Sequence, residues 1–300
     1  MFDMFFAWFG SLPNAAAQGL IWGIMAIGVY ITFKILDIAD LTVDGTFCTG
    51  GAVCAVLITA GVDPAVAVLV SVIAGLLAGL LTGALHTALG IPTILSGILS
   101  QLILWSVNLK IMGRSFIPLL AIQHDVLLAS SRIWPALLVV AVFAGVLVGL
   151  LYTFFGTEIG ASLRATGNNQ HMSRAQGINT NITKILGLVL SNGVVALAGA
   201  LQAQYSGTAD INMGKTTIVI SLAAIVIGDA IMSRISKNLA ARLAGVLLGG
   251  LAYNLVYQTV VFIGLDADLM KLISACVVIA FLAIPYLKSR YFTKGVQHHA

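Results

Sequence analysis

Apolar residues dominate the chain in long runs, and the polar positions that break them fall into a few short clusters. Crossing the hydrocarbon core of a bilayer takes about 20 apolar residues in a helix. Runs of that kind lie near 15–36, 65–89, 91–112, 133–155, 181–204, 215–232, 240–264 and 268–287. A further segment, 45–61, is shorter and richer in Gly. Together they predict an all-α polytopic membrane protein of about nine transmembrane spans, within a range of eight to ten. Pro64, Pro92 and Pro135 each stand near the start of a span, where a missing N–H does no harm. Asp63, before Pro64, is placed to cap the helix that follows.

Composition agrees with this pattern. The 300 residues are 59% hydrophobic and 9% charged, with mean hydropathy +1.04, whereas soluble domains carry about 25% charged residues. The 31 glycines suit helices that pack closely in lipid. The chain reads as one transmembrane domain over 1–300. Residues 1–12 are read as an interfacial segment rather than a cleaved signal peptide, because MFDMFFAWFG lacks a basic start. Cys48, Cys54 and Cys276 lie in apolar segments and form no CxxC or Cys/His cluster, so neither a metal site nor a disulfide is expected. His298 and His299 belong to the tail, 288–300.

The charges set an orientation. With the polar stretch 156–180 placed inside, the inner side holds Lys34, Arg164, Arg174, Lys184, Arg234, Lys237, Arg242, Lys288, Arg290 and Lys294. Lys110, Arg114, Arg132, Lys215 and Lys271 fall outside or within the membrane, and the acidic GLDAD turn at 264–268 falls outside. The N-terminus is therefore expected outside and the C-terminus in the cytoplasm. The longest extramembrane pieces are 156–180 and the outer 113–132 loop.

The stretch 156–180 has too few large apolar residues for a helix lying on lipid. Its small and capping residues are arranged for helices. Gly167 and Asn168 can end one short helix, Asn168 or Asn169 can cap the next, and Gly177 can end that one before Asn179 and Asn181 open the following span. A short helix at about 168–176 would expose Met172 and Ala175 to a partner's cleft. The alternative is a plain solvated loop.

The residues TEIGASLRATGNNQHMSRAQGIN resemble the cytoplasmic loop of ABC-transporter permeases of the branched-chain amino-acid type. Gly160, Leu163, Arg164, Ala165, Ala175, Gly177, Ile178 and Asn179 carry the likeness, and ALAGALQAQY (196–205) resembles that family's next span. The resemblance implies a coupling loop that docks a cytoplasmic ABC ATPase dimer through Arg164, Gly167, Asn168, Asn169, Met172, Ala175, Gln176 and Gly177. It implies an extracellular or periplasmic substrate-binding protein, a second permease copy forming a homodimer, and a bacterial plasma (inner) membrane. ATP and Mg would sit on the partner subunit. No cofactor, nucleic acid or catalytic residue is expected on this chain.

Two further segments interrupt the apolar pattern with Gly, Thr and Asp: ILDIADLTVDGTFCTGG (35–51) and SGTADINMGKTT (206–217). They resemble each other, Ala39-Asp40-Leu41 matching Ala209-Asp210-Ile211, with Gly45 and Thr46 following one and Gly214 and Thr216 the other. Paired, Gly-interrupted segments in two pseudo-repeated halves point to a transport site made of broken helices. Broken backbone is tolerated only where it lines protein or water. Asp40, Thr42, Asp44, Thr46, Asp210, Asn212 and Thr216 are therefore expected to line a translocation path. Asp44 has a structural reading beside this one, as the cap of a half-helix starting at Gly45, and the two are compatible. DLTVDGTF also resembles a motif of an uncharacterised permease subgroup whose binding proteins are associated with aromatic amino acids.

Other motifs are weaker. Gly214-Lys215-Thr216 ends like a nucleotide-binding P-loop, but the required upstream Gly position holds Ala209 and no strand–helix context exists. Asp229 is expected to pair with Arg234 one turn away. His86 reads as a polar tip at a helix end, and Trp22, Trp105 and Trp134 as packing or belt residues. The residues admit three classes: an importer's membrane subunit, moving an amino acid that the subgroup likeness suggests is aromatic; an ion- or proton-coupled transporter using Asp40, Asp44 and Asp210; and an intramembrane enzyme. The enzyme lacks HExxH, GxSxG or paired catalytic Asp residues. The coupled transporter leaves 156–180 unexplained.

Overall fold

The computed structural model describes residues 2–119, 126–232 and 238–262, with isolated positions between 272 and 283. Arg234, Lys237, Lys271, the 264–268 turn, nearly all of the 268–287 span and the tail lie outside the described residues. The helices are α1 (Phe2–Tyr30), α2 (Thr42–Thr59), α3 (Pro64–Thr87), α4 (Thr93–Met112), α5 (Ile133–Gly156), α6 (Glu158–Asn168), α7 (Gln170–Ala175), α8 (Thr180–Ser206), α9 (Thr217–Met232) and α10 (Leu239–Phe262). Among the described residues, seven helices are long and apolar enough to cross a membrane. They and the shorter α9 coincide, within a few residues, with the runs expected there. The protein is an all-α polytopic membrane protein. Residues 2–12 are helical and continuous with the first span, so the segment expected to be interfacial belongs to the same helix.

Burial sorts the helices. In the most apolar window of each span, 72% of α1 and of α2 and 67% of α8 is buried, against 22% of α5. The first three form the centre and α5 the rim. α8 lies against α3, α2 and α1, while α10 closes over α1 and α9. Small residues allow the tight contacts that lipid cannot enforce by hydrophobicity. A Cβ on Gly199 of α8 would stand 2.0 Å from the Phe47 carbonyl oxygen of α2, so only hydrogen fits there. Asp63 caps α3 as expected, its Oδ1 accepting from the backbone N–H of Ala65 at 2.8 Å.

Two breaks interrupt the bundle. After α1 the chain winds through a π-helical turn, Ile31–Ile35, and an irregular stretch before α2 begins at Thr42. After α8 it forms β2 (Thr208–Asp210), which pairs antiparallel with β1 (Phe116–Pro118) of the 113–132 loop. It then passes along α2 as an irregular segment and resumes as α9. That helix has 16 residues, about 24 Å at 1.5 Å per residue, short of a full crossing.

Candidate functional site

The first break converges on Asn192, in the middle of α8. Asp40 is 3% exposed. Its Oδ1 accepts from the Thr42 backbone N–H at 2.9 Å, and its Oδ2 accepts from Asn192 Nδ2 at 2.8 Å. The Asn192 Oδ1 accepts from the Thr46 hydroxyl at 2.7 Å. Thr42 shares a 2.8 Å hydrogen bond with Thr82 of α3, whose hydroxyl lies 2.8 Å from that of Ser100 of α4. A buried carboxylate is tolerable only when its oxygens are engaged, and this network, drawn from four helices and the break, engages both. A lone Asn in the apolar run of α8 was the only sequence signal for Asn192.

The second break meets the first. The Asp44 Oδ1 accepts from the Thr217 hydroxyl at 2.5 Å and from the Ile218 N–H at 3.1 Å. Asp44 therefore caps α9, not a half-helix starting at Gly45, because it already stands inside the first turn of α2. The Cys48 thiol donates to the Ile211 carbonyl at 3.3 Å. A Cβ on Gly214 would come 1.8 Å from the Asp44 carbonyl oxygen, so this crossing admits only glycine. Among the described residues, the two non-glycines with positive φ are Asp37 (55°) and Thr216 (71°), one beside each break. Such conformations persist where the surrounding structure holds them, and they concentrate at functional sites.

Of the residues expected along a path, Asp40, Thr42 and Thr46 are buried in protein contacts, and Asp44 is partly buried. Asp210 is partly exposed, with its Oδ1 accepting from the Asn212 N–H at 2.6 Å, and Asn212 and Thr216 are exposed. Asp40 and Asp210, matched in sequence, do not meet. Asp210 lies beside Cys48, which approaches its carbonyl at 3.6 Å. Among the described residues, no cluster of His, Cys, Asp and Glu could hold a metal ion.

At the far end of α8 the polar stretch folds into α6 and α7. Asn169 caps α7, its Oδ1 accepting from the Met172 N–H at 3.0 Å. Gly177 takes φ 81°, and Asn179 caps α8 through the Asn181 and Ile182 N–H groups. Arg164, Asn168, Asn169, Met172, Ala175, Gln176 and Gly177 are exposed. Gly167 instead faces inward, against the Ile35 carbonyl of the π-helical turn. Arg174 Nε donates to the Thr180 hydroxyl at 2.8 Å, and Thr166 shares a 3.0 Å hydrogen bond with Thr183, tying both short helices to the start of α8. Asp229 pairs with Lys34 at 3.1 Å. This is a contact between α9 and the π-helical turn, which the fold brings together; Arg234, the partner expected for Asp229, lies outside the described residues.

A bundle of spanning helices, broken at two places that meet in its interior, has the architecture of a membrane transport component. Residues 11–282 match the family model described as branched-chain amino acid transport system / permease component, and the chain belongs to that family. It is similar to the tyrosine transport system permease protein of Clostridioides difficile (strain R20291), 41% identical over 272 residues covering 90% of both chains. It is also similar to the uncharacterized protein RP368 of Rickettsia prowazekii (strain Madrid E), 34% identical over 279 residues, 92% of this chain and 98% of that one. No solved structure matches it significantly. The chain is an ABC-type amino acid permease.

Proposed function

We propose that this chain is the membrane-spanning subunit of an ATP-driven importer for an aromatic amino acid. The likeness to a tyrosine transport system permease along 90% of the chain carries the substrate class. The binding protein delivers substrate at the outer 113–132 loop. That loop is hydrogen-bonded to the second break, with the Ile211 N–H donating to the Ser115 carbonyl at 2.9 Å. A cytoplasmic ATPase dimer, which holds ATP and Mg, docks on the exposed face of α7 around Met172 and Ala175. Its closure moves α6 and α7, and the hydrogen bonds from Arg174 and Thr166 pass that movement to α8. Asn192 lies twelve residues past Thr180 on the same rigid helix, about 18 Å away at 1.5 Å per residue.

Two copies of the chain enclose the path. The exposed Asn212, Lys215 and Thr216 lie close to Asp44 inside the bundle, where irregular polar backbone must face water or protein and not lipid. The N-terminus lies outside the bacterial inner membrane and the C-terminus in the cytoplasm. Family membership supports this reading over the ion-coupled alternative.

The test is a pull-down of the intact chain with its cognate ATPase, beside a variant carrying Met172→Glu and Ala175→Glu. Retention by the native chain and loss by a folded variant is the expected result. A native chain that retains no ATPase in nanodiscs overturns the docking assignment.

A further inference from the structure

The π-helical turn, α6 and the start of α10 enclose a polar cavity of about 910 Å³, within the range of about 300–1,000 Å³ usual for small-molecule sites. Its wall carries Phe33, Lys34, Asp37, Arg164 and Arg242. These elements are all span ends. The first span ends at Ile35, the last described one starts at Leu239, and α6 begins just after α5 ends at Gly156. The cavity therefore lies at the level of the lipid head groups. Gly167 presses α6 against the turn, where a Cβ would stand 1.8 Å from the Ile35 carbonyl oxygen. A π-helical turn and the left-handed Asp37 beside it are local irregularities of the kind that concentrate at functional sites.

The charges on the wall specify a ligand. Lys34 is already paired with Asp229 at 3.1 Å. Arg164 and Arg242 are exposed and form no ion pair among the described residues, and a hydrogen bond to the buried Tyr30 holds Arg242 in place. Asp37 is exposed and likewise without an ion pair among the described residues. Two guanidiniums against one carboxylate leave the wall positive. Guanidinium forks match the oxygens of a phosphate in pairs. At head-group depth the abundant anions are phospholipid phosphates, and basic pockets between spans take them. Asp37 adds an acceptor, which calls for a donor elsewhere in the same head group. Phe33, 40% exposed, supplies apolar surface beside the charges.

We propose that this cavity binds the head group of an anionic, phosphatidylglycerol-type phospholipid: the phosphodiester sits on Arg164 and Arg242, the terminal glycerol donates a hydroxyl to Asp37, and the start of an acyl chain lies on Phe33. A single negative charge matches the wall. Under the orientation proposed above the lipid comes from the inner leaflet, and the assignment is otherwise independent of what the permease transports. Arg164, expected to dock the ATPase, is assigned to the lipid instead. Occupied, the site ties α6, which leads into α7, to the ends of α1 and α10.

The intact permease in an uncharged detergent is titrated with phosphatidylglycerol, and the bound fraction is read by native mass spectrometry. Arg164→Gln and Arg242→Gln each weaken binding by about tenfold, the loss that goes with one hydrogen bond to a charged group. Arg242→Lys keeps more of the affinity than Arg242→Gln. Phosphatidylcholine, whose head group has no donor for Asp37, binds about tenfold more weakly to the native chain, and Asp37→Ala narrows that preference. Both arginines are exposed, so the variants fold. Unchanged affinity in both glutamine variants overturns the site. Glycerol phosphate binding as tightly as the lipid overturns the lipid as occupant, in favour of a free phosphate ester. Displacement of the lipid by L-tyrosine hands the cavity to the transport path. An Arg164→Gln chain that binds lipid normally and no longer retains the ATPase hands that arginine to the ATPase. Each of these last two results overturns the assignment and leaves the importer reading standing.

Discussion

The Asp40 carboxylate and the Asn192 amide meet at 2.8 Å across 152 positions of sequence, joining the break before α2 to the middle of α8. Removing the amide leaves a buried carboxylate held by Thr42, through its backbone N–H and its side chain. Asn192→Leu is expected to cost about 2 kcal/mol, the range for a hydrogen bond to a charged group. It should appear as a lower thermal midpoint in detergent. Adding Asp40→Asn should recover part of the loss, because a neutral amide is cheaper to bury. A double variant no more stable than Asn192→Leu alone would show that the pair is not what holds the break.

Gly214 crosses Asp44 so closely that a methyl group must displace backbone. Gly214→Ala is expected to destabilise the protein by about 1–3 kcal/mol, as overpacking does, and to reduce transport. Gly145→Ala, on the open side of α5 with nothing near it, should change neither. Equal thermal midpoints for the two variants would contradict the crossing.

Asn169 caps α7 through the Met172 N–H. Asn169→Ala should weaken that helix by about 1 kcal/mol, accelerate hydrogen exchange of the 170–175 amides and lower affinity for the ATPase. Asn169→Asp, which keeps the cap, should restore both. Unchanged exchange in Asn169→Ala would remove the cap from the account.

Lys34 and Asp229 form an ion pair with side chains 45% and 28% exposed. Pairs so open to solvent contribute little, and a double-mutant cycle on Lys34→Ala and Asp229→Ala should return a coupling below about 1 kcal/mol that shrinks with salt. A coupling several times larger would mean that the pair clamps the π-helical turn to α9.

Much of the architecture was legible in the chain because its causes are local. A span needs its own apolar run, so α3, α5 and α8 could be read from hydropathy alone. A cap needs one side chain near its own helix end, so Asp63, Asn169 and Asn179 could be read from a few residues each. Even the likeness of 35–51 to 206–217 is a property of the string. What the string does not contain is which distant groups meet. Asp44 looked like a cap for its own helix and instead holds the start of α9; Asp229 reaches Lys34, far away in the chain; Asp40 and Asp210 looked equivalent, yet one is buried against Asn192 and the other turns to its own Asn212. The tertiary structure decided these because a buried polar group takes whichever partner packing brings within about 3 Å, and α8, packed against α1, α2 and α3, determines which groups arrive.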